Sequence, residues 1–206
     1  MVRLVETPAE MHVDSETDLA ALLEASGAVM RGHFILTSGR HSDVYFEKFR
    51  ILEQPQVLSA LCSQIAHRFS DVELDVVAGP TTGGIIIAFE VARQMGIPAV
   101  YVETENGKKT LRRGKTLATG TRCLIVDDVL TTGTSLVETQ AVVEQAGGTV
   151  AAFGVLIDRS SPDLQLMAPL YAAYQVSAKS YDHNEIPEWL AKIPATKPGT
   201  RTVIAL

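Results

Sequence analysis

Short apolar runs and amphipathic stretches follow one another along the middle of the chain, from residue 54 to residue 157. We predict strands over residues 74–78, 99–102, 123–126 and 150–157. The stretch 123–126 is an unbroken apolar run without the polar alternation of a half-exposed strand, as expected of a central parallel strand, and residues 150–157 are predicted to be buried likewise. Between them, residues 54–69 and 85–96 place apolar side chains at helical spacing. The pattern predicts an α/β fold with a mostly parallel central sheet flanked by helices.

The two ends of the chain are predicted to join this core in a single domain of 206 residues. Apolar spacing around Leu22 indicates a short helix that ends near Gly27. A turn at Ser38-Gly39 separates two predicted strands, the second over residues 44–49, and residues 170–176 are a candidate edge strand. The domain is divided into a small N-terminal hood (approximately 17–52), a core (approximately 53–160) and a C-terminal wrap (161–206).

The stretch 123–136 reads CLIVDDVLTTGTSL and is the most informative part of the chain. A buried strand leads into Asp127 and Asp128, a small hydroxyl-rich loop follows, and then a helical pattern begins. Ser135 and Glu138 have the spacing of a capping box, and Gly147-Gly148 is expected to end the helix. The sequence therefore predicts a strand, a tight loop and a capped helix in direct succession.

Such a loop lies between the carboxyl end of a strand and the amino end of a helix, where free N–H groups and the helix dipole favour a phosphate. The preceding acid pair, Asp127 and Asp128, suits the hydroxyls of a ligand or a Mg²⁺ held partly through water. A phosphate on one side and a sugar edge on the other describe a ribose 5-phosphate. An acid pair considered alone would more often form a solvated turn.

Three further segments carry candidate chemistry. Glycines in the loop 79–84, GPTTGG, allow backbone amides to approach a ligand closely. The segment 103–120 contains a cluster of lysines and arginines in an otherwise acidic chain and has an Asn106-Gly107 turn. We therefore expect a hairpin that binds an anion. Arg159 follows the last buried strand, where a guanidinium can pair with a planar carboxylate. The alternatives are a plain turn, a solvated hairpin and a structural ion pair.

Composition and charge exclude several classes of protein. With 46% hydrophobic and 20% charged residues, the chain is typical of a globular protein. No apolar run approaches the roughly 20 residues of a membrane helix, and the first residues lack the apolar core of a signal peptide. A net charge of −6 argues against general nucleic-acid binding. Cys62 and Cys123 lie in apolar patterns, as reduced thiols of a cytoplasmic protein do.

The stretch 123–136 resembles the phosphoribosyl diphosphate (PRPP) signature of the type I phosphoribosyltransferases. Residues 32–52, with TSGRHSDVYF, look like the hood that covers the base in orotate phosphoribosyltransferases; Arg40, Tyr45 and Lys48 are polar groups of this hairpin. The resemblance implies a type I phosphoribosyltransferase fold with a Rossmann-like core. It also implies transfer of ribose 5-phosphate from PRPP to orotate, which yields orotidine 5′-phosphate and pyrophosphate in pyrimidine nucleotide synthesis.

The resemblance also assigns residues to the site. The ribose and 5-phosphate of PRPP would be bound by Asp127, Asp128, Val129, Leu130, Thr131, Thr132, Gly133, Thr134 and Ser135. The diphosphate would be bound by Pro80, Thr81, Thr82, Gly83, Lys108, Lys109, Arg112 and Arg113. Thr131 and Arg159 would bind orotate, and Asp127, Asp128 and Lys109 would be the catalytic residues. Mg²⁺ would be held through PRPP and water without a direct protein ligand.

A homodimer that shares the basic loop between subunits is a further implication of the resemblance. Many relatives carry a histidine in that loop, whereas residues 103–120 contain none. This departure leaves open which basic residue meets the leaving group. Three alternatives remain: a purine phosphoribosyltransferase, a regulator that binds PRPP without turnover, and a slow relative that retains the pocket.

Overall fold

The computed structural model describes residues 16–36, 38–105, 107–111, 115–176 and 179–198. The strands are β1 (Val29–Ile35), β2 (His41–Phe46), β3 (Val76–Pro80), β4 (Ala99–Glu105), β5 (Lys108–Leu111), β6 (Arg122–Leu130), β7 (Thr149–Asp158), β8 (Leu170–Gln175), β9 (Ser180–Tyr181) and β10 (Ala195–Thr196). The helices are α1 (Glu16–Ala25), α2 (Lys48–Leu52), α3 (Pro55–Arg68), α4 (Gly83–Met95), α5 (Thr134–Gln145) and α6 (Glu188–Ala191), with a 3-10 turn at His183–Glu185.

The larger sheet has the strand order β5-β4-β3-β6-β7-β8, and its strands are parallel except for β5, which pairs antiparallel with β4. Helices cover both faces. In β6, Leu124 and Val126 belong to the buried cluster that contains α3 and α4, whereas Cys123 and Ile125 belong to the cluster that contains α5. This alternation explains the unbroken apolar run. The predicted mostly parallel sheet flanked by helices is confirmed.

The strand before the acid pair is longer than predicted. It runs to Leu130, so Asp127 and Asp128 lie within β6 and not beyond its end. The reason is the neighbouring strand: β7 is equally extended, and its ladder with β6 continues to the pair Leu130↔Asp158. Backbone pairing over the whole length of β7 therefore decides where β6 ends, and side-chain polarity does not.

The predicted capping box is wrong. The N-cap of α5 is Gly133, at φ 77°, and no side chain caps the helix, since Ser135 already lies in its first turn. Lys109 of β5 donates to the Ser135 hydroxyl and lies 3.6 Å from Glu138 Oε2, so both residues of the expected capping box interact with this lysine. Gly147 adopts φ 97° directly after the helix, as its predicted role at the C-terminus requires.

The smaller sheet has the order β10-β1-β2-β9 and uses both ends of the chain. Its predicted second strand is shifted: β2 ends at Phe46, and Lys48–Leu52 form a helix whose amino end is capped by the Glu47 side chain. The tail contributes β9 beside β2 and β10 beside β1, so the hood is not built from N-terminal residues alone. The predicted edge strand is confirmed as β8.

The predicted basic hairpin is also present. Glu105 pairs with Lys108 across the turn, and Gly107 has φ 78°. Because successive side chains of a strand point to opposite faces, Lys108 and Lys109 leave β5 on different sides. Lys108 is exposed and Lys109 is half-buried. The other predicted basic residues of this segment, Arg112 and Arg113, lie outside the described residues.

Three histidines link the strands of the smaller sheet to the tail. Nδ1 of His33 lies 2.9 Å from the carbonyl oxygen of Ile193, and Nε2 of His33 lies 2.6 Å from Nδ1 of His41. Nε2 of His41 lies 3.4 Å from Nδ1 of His183. A carbonyl only accepts, so His33 donates from Nδ1. A neutral His41 donates to one neighbouring ring and accepts from the other, and a further proton on His41 removes its acceptor.

We expect acid to weaken this histidine chain. Burial lowers the pKa of His41, and charge on His33 or His183 would lower it further; the Arg40–Asp182 ion pair lies alongside. A histidine with a depressed pKa stabilises the fold fully above its unfolded pKa of about 6.5, and this stabilisation is lost as the pH falls.

The expected result is that wild type loses more unfolding free energy between pH 7.5 and 5.5 than His41→Asn does, as measured by urea denaturation. The matched control is His67→Asn, a change at an exposed histidine of α3, which should retain the wild-type pH dependence. Equal pH dependence in the two variants would show that His41 does not contribute to the pH dependence of stability.

Candidate functional site

The loops singled out in the sequence meet at one edge of the larger sheet, at the carboxyl ends of β3, β6 and β7 and beside the β4–β5 hairpin. Ligands of such sheets bind outside this edge. A cavity of about 410 Å³ opens there. It is lined by Thr81, Lys109, Asp127, Val129, Leu130, Thr131, Thr132, Gly133, Thr134, Ser135, Leu136 and Glu138.

The loop 131–135 forms one wall of this cavity and leads into α5. The positive φ of Gly133 turns the chain so that the helix starts at Thr134. Because no side chain caps α5, the N–H groups of its first turn are open to an anion. Thr131, Thr132 and Thr134 add exposed hydroxyls. This arrangement can bind a phosphate.

Lys109 lies against the same turn of α5. Its Nζ donates to the carbonyl oxygen of Ser135 at 2.9 Å and to the Ser135 hydroxyl at 2.7 Å, with Thr139 Oγ1 at 3.4 Å. Glu138 Oε2 is 3.6 Å away. The resemblance suggested that Lys109 meets the diphosphate, but in this structure its charge lies beside the loop 131–135, with Thr81 lining the same cavity.

Asp127 and Asp128 are both buried, and they point to different neighbours. Asp127 lines the cavity, whereas Asp128 Oδ2 pairs with Lys48 Nζ at 2.8 Å on the other side of β6. Burial raises the pKa of Asp127, and the charge of Asp128 raises it further, against the opposing effect of the Ser135 hydroxyl. The two carboxylates thus present acceptors on both sides of the strand end.

The glycine-rich loop 79–84 packs directly on Asp128. A Cβ at Gly79 would collide with the carbonyl oxygen of Gly84, and a Cβ at Gly83 would collide with Asp128 Oδ2. Glycine is therefore required at both positions, as the sequence analysis expected from close backbone approach. Thr81 and Thr82, joined by a cis peptide bond, are exposed at the tip of this loop, while Pro80 and Gly83 are buried.

Arg159 follows β7, and its backbone N–H donates to the carbonyl oxygen of Leu130 at 2.9 Å, next to Thr131. Its guanidinium carbon lies 5.5 Å from the centre of the Phe46 ring. Among the described residues, no group accepts a hydrogen bond from its buried Nε. Burial lowers the pKa of this guanidinium, and Tyr45 acts in the opposite direction. A buried donor without an acceptor favours an anionic ligand.

Three hood residues join the site although the sequence analysis gave them no role: Tyr45 and Phe46 lie beside Arg159, and Lys48 pairs with Asp128. The TSGRHSDVYF resemblance to a base-covering hood was the signal for the first two. No signal in the sequence connects Lys48 with an aspartate 80 positions away.

Comparisons with known proteins agree with this arrangement. The family described as "Phosphoribosyl transferase domain" matches residues 50–188. The orotate phosphoribosyltransferase of Pelotomaculum thermopropionicum is 42% identical over 186 residues, which cover 90% of this chain and 98% of that protein. The orotate phosphoribosyltransferase of Desulforamulus reducens is 40% identical, with 90% of this chain and 97% of that protein covered.

Solved structures show the same fold. The crystal structure of orotate phosphoribosyltransferase from Aeropyrum pernix has a TM-score of 0.64 and 31% identity, over 77% of this chain and 93% of that one. Adenine phosphoribosyltransferase from Thermoanaerobacter pseudethanolicus has a TM-score of 0.55 at 18% identity, over 65% of this chain and 88% of that one, and shares the fold alone. The chain thus belongs to the phosphoribosyltransferase family and, within it, to the orotate phosphoribosyltransferases.

Proposed function

We propose that this protein transfers the ribose 5-phosphate group of PRPP to N1 of orotate, yielding orotidine 5′-phosphate and pyrophosphate. The observation that carries this proposal is the half-buried Arg159 side chain beside the loop 131–135, whose buried Nε has no acceptor among the described residues. Orotate supplies a planar carboxylate, which suits a guanidinium fork. A purine has no carboxylate for that position.

The phosphate loop and the acid pair would hold the ribosyl group. Residues 131–135 offer N–H groups and hydroxyls to the 5-phosphate, and Lys109 adds a positive charge beside them. Asp127 and Asp128 would accept hydrogen bonds from the ribose hydroxyls. As the C1–O bond breaks, its electrons leave with pyrophosphate and positive charge develops on the ribosyl ring. Both carboxylates would stabilise that charge while the C1–N1 bond forms.

The diphosphate would lie against the loop 79–84. Pro80, Thr81, Thr82 and Gly83 place backbone and hydroxyl groups there, close to Asp128. Lys108, Arg112 and Arg113 would approach from the basic hairpin, and Tyr45 and Phe46 would cover the base. Orotate is acidic enough to present a nucleophilic N1, so this reaction needs no strong protein base. Catalysis then depends mainly on positioning and electrostatics.

Mg²⁺ is proposed as the cofactor. The described residues form no cluster of three or more histidine, cysteine or acidic side chains around a metal position. Mg²⁺ commonly keeps several waters and binds substrate phosphates, so it would be held by PRPP and reach Asp127 or Asp128 through water. When bound, the ion would neutralise charge on the leaving pyrophosphate.

We also propose a homodimer that shares the basic hairpin. Exposed apolar side chains on α2, α4 and β4 support an interface close to the site: Phe49, Ile86, Phe89 and Tyr101. The exposed Lys108, which leaves β5 on the face opposite to Lys109, is available to a partner site. None of the helices in the described ranges has the length and apolar character of a membrane span. The two buried free thiols, Cys62 and Cys123, support a cytoplasmic protein.

The direct test is an assay with PRPP, Mg²⁺ and one acceptor at a time: orotate, hypoxanthine, adenine or uracil. We expect orotate alone to be consumed, followed by its absorbance. Consumption of a purine would contradict the assignment of Arg159. Binding of PRPP without turnover of any base would support a regulator and refute the enzyme.

Arg159→Ala is expected to raise the KM for orotate about a hundredfold, since truncating one member of a buried charge pair costs about 2–5 kcal/mol. The KM for PRPP should change far less. Arg68→Ala is the matched control, because Arg68 also lies over a phenylalanine ring, 5.6 Å from that of Phe69, but at the exposed end of α3. Equal increases in both KM values would remove Arg159 from the orotate site.

Subunit mixing tests the shared hairpin. Lys108→Ala and the double variant Asp127→Asn/Asp128→Asn should each be nearly inactive alone. After subunit exchange, half of the dimers are mixed and one of their two sites is intact, so about a quarter of wild-type activity should return. Each variant mixed with itself is the control. If no activity returns although exchange is verified by mass spectrometry, the hairpin serves its own subunit.

A further inference from the structure

Lys48 is the first residue of α2, and its positively charged side chain extends from the hood to Asp128. Its Nζ lies 2.8 Å from Asp128 Oδ2, and the other carboxylate oxygen, Oδ1, accepts from the N–H of Val129 at 2.7 Å. The Asp128 side chain is 10% exposed, whereas that of Lys48 is 42% exposed. One side of the ammonium group thus faces the buried carboxylate and the other side faces solvent.

The position of Gly83 shows which part of the protein lies next to the Lys48 ammonium group. Gly83 ends the loop 79–84, and a Cβ there would collide with Asp128 Oδ2 and lie 3.3 Å from Cδ1 of Leu52, at the end of α2. The Lys48 ammonium therefore lies where α2, the acid pair and the glycine-rich loop converge. That loop, GPTTGG, contains no basic residue of its own. The hood supplies the positive charge at this point.

We propose that Lys48 binds the diphosphate of PRPP while it keeps its contact with Asp128. An ammonium group has three N–H donors, and Asp128 accepts one. The remaining donors lie on the solvent side; the Phe49 ring is also near, 5.7 Å from Nζ. This inference rests on the proposed function, because it places the diphosphate against the loop 79–84.

Charge gives the physical reason for this role. A diphosphate bound beside Asp127 and Asp128 adds negative charge next to two buried carboxylates, and like charges at short distance repel strongly in a poorly solvated site. Lys109 lies on the Asp127 side of β6, beside the loop 131–135. Lys48 lies on the Asp128 side and separates that carboxylate from the diphosphate. Lys109 would thus lie near the 5-phosphate of PRPP, and Lys48 near its diphosphate.

Lys48→Met tests this role, because methionine keeps the apolar stem and removes the charge. We expect the KM for PRPP and the inhibition constant of pyrophosphate to rise about tenfold to a hundredfold, as for loss of a hydrogen bond to a charged group. The KM for orotate should change little. Binding of ribose 5-phosphate, which has no diphosphate, should remain as in wild type when measured by calorimetry. Lys48→Arg should restore most of the pyrophosphate affinity.

Arg50→Met is the matched control, since Arg50 lies on the same short helix, is exposed and pairs with Glu53. It should leave all four constants unchanged. Lys48→Gln keeps a donor for Asp128 and replaces Lys48→Met if the latter does not fold, as judged by thermal unfolding. Its pyrophosphate affinity should fall in the same way.

Two outcomes would overturn the inference. The first is pyrophosphate and PRPP constants in Lys48→Met that equal those of Arg50→Met. The second is equal weakening of ribose 5-phosphate and pyrophosphate, which would mean that Lys48 acts only by positioning Asp128. Failure of wild type to consume orotate would refute the proposed function instead, and the pyrophosphate and ribose 5-phosphate measurements would still decide the role of Lys48.

Discussion

Strand β6 is buried on both faces and nevertheless ends in two carboxylates, and the rest of the site is arranged around this conflict. Buried charges are costly unless they are paired and hydrogen-bonded. Asp127 and Asp128 point to opposite sides of the strand, so a single lysine side chain does not reach both. The β4–β5 hairpin brings Lys109 to one side, and the hood brings Lys48 to the other. Two distant segments are thereby held at the same strand end.

The same geometry places the anion-binding groups at separate positions around the end of β6. The loop 131–135 and α5 lie on one side of β6, with open N–H groups for a phosphate. On the other side, Gly83 of the loop 79–84 lets the backbone pass directly over Asp128. Arg159 is tied to Leu130 at the end of β6 and keeps a buried donor available. Three anionic groups of two substrates can thus be distinguished by position.

Much of this arrangement could be predicted because it depends on local patterns. Unbroken apolar runs indicated the buried strands, and the loops after them indicated the edge where ligands bind. The end of β6 could not be predicted, since its pairing with β7 decides it. The α5 capping box failed for a similar reason: Lys109, from another strand, occupies Ser135. The Lys48–Asp128 pair and the hood's tail strands join residues far apart in sequence, which no local pattern records.

The smaller sheet has a consequence for how the protein is made. Its outer strands, β9 and β10, come from the C-terminal part of the chain, yet they flank the hairpin that carries Tyr45, Phe46 and, just beyond it, Lys48. The larger sheet is complete once β8 has formed. During synthesis on the ribosome, the strands of the larger sheet can therefore pair before residues 180–196 emerge. The hairpin that carries Tyr45 and Phe46 gains its flanking strands only afterwards.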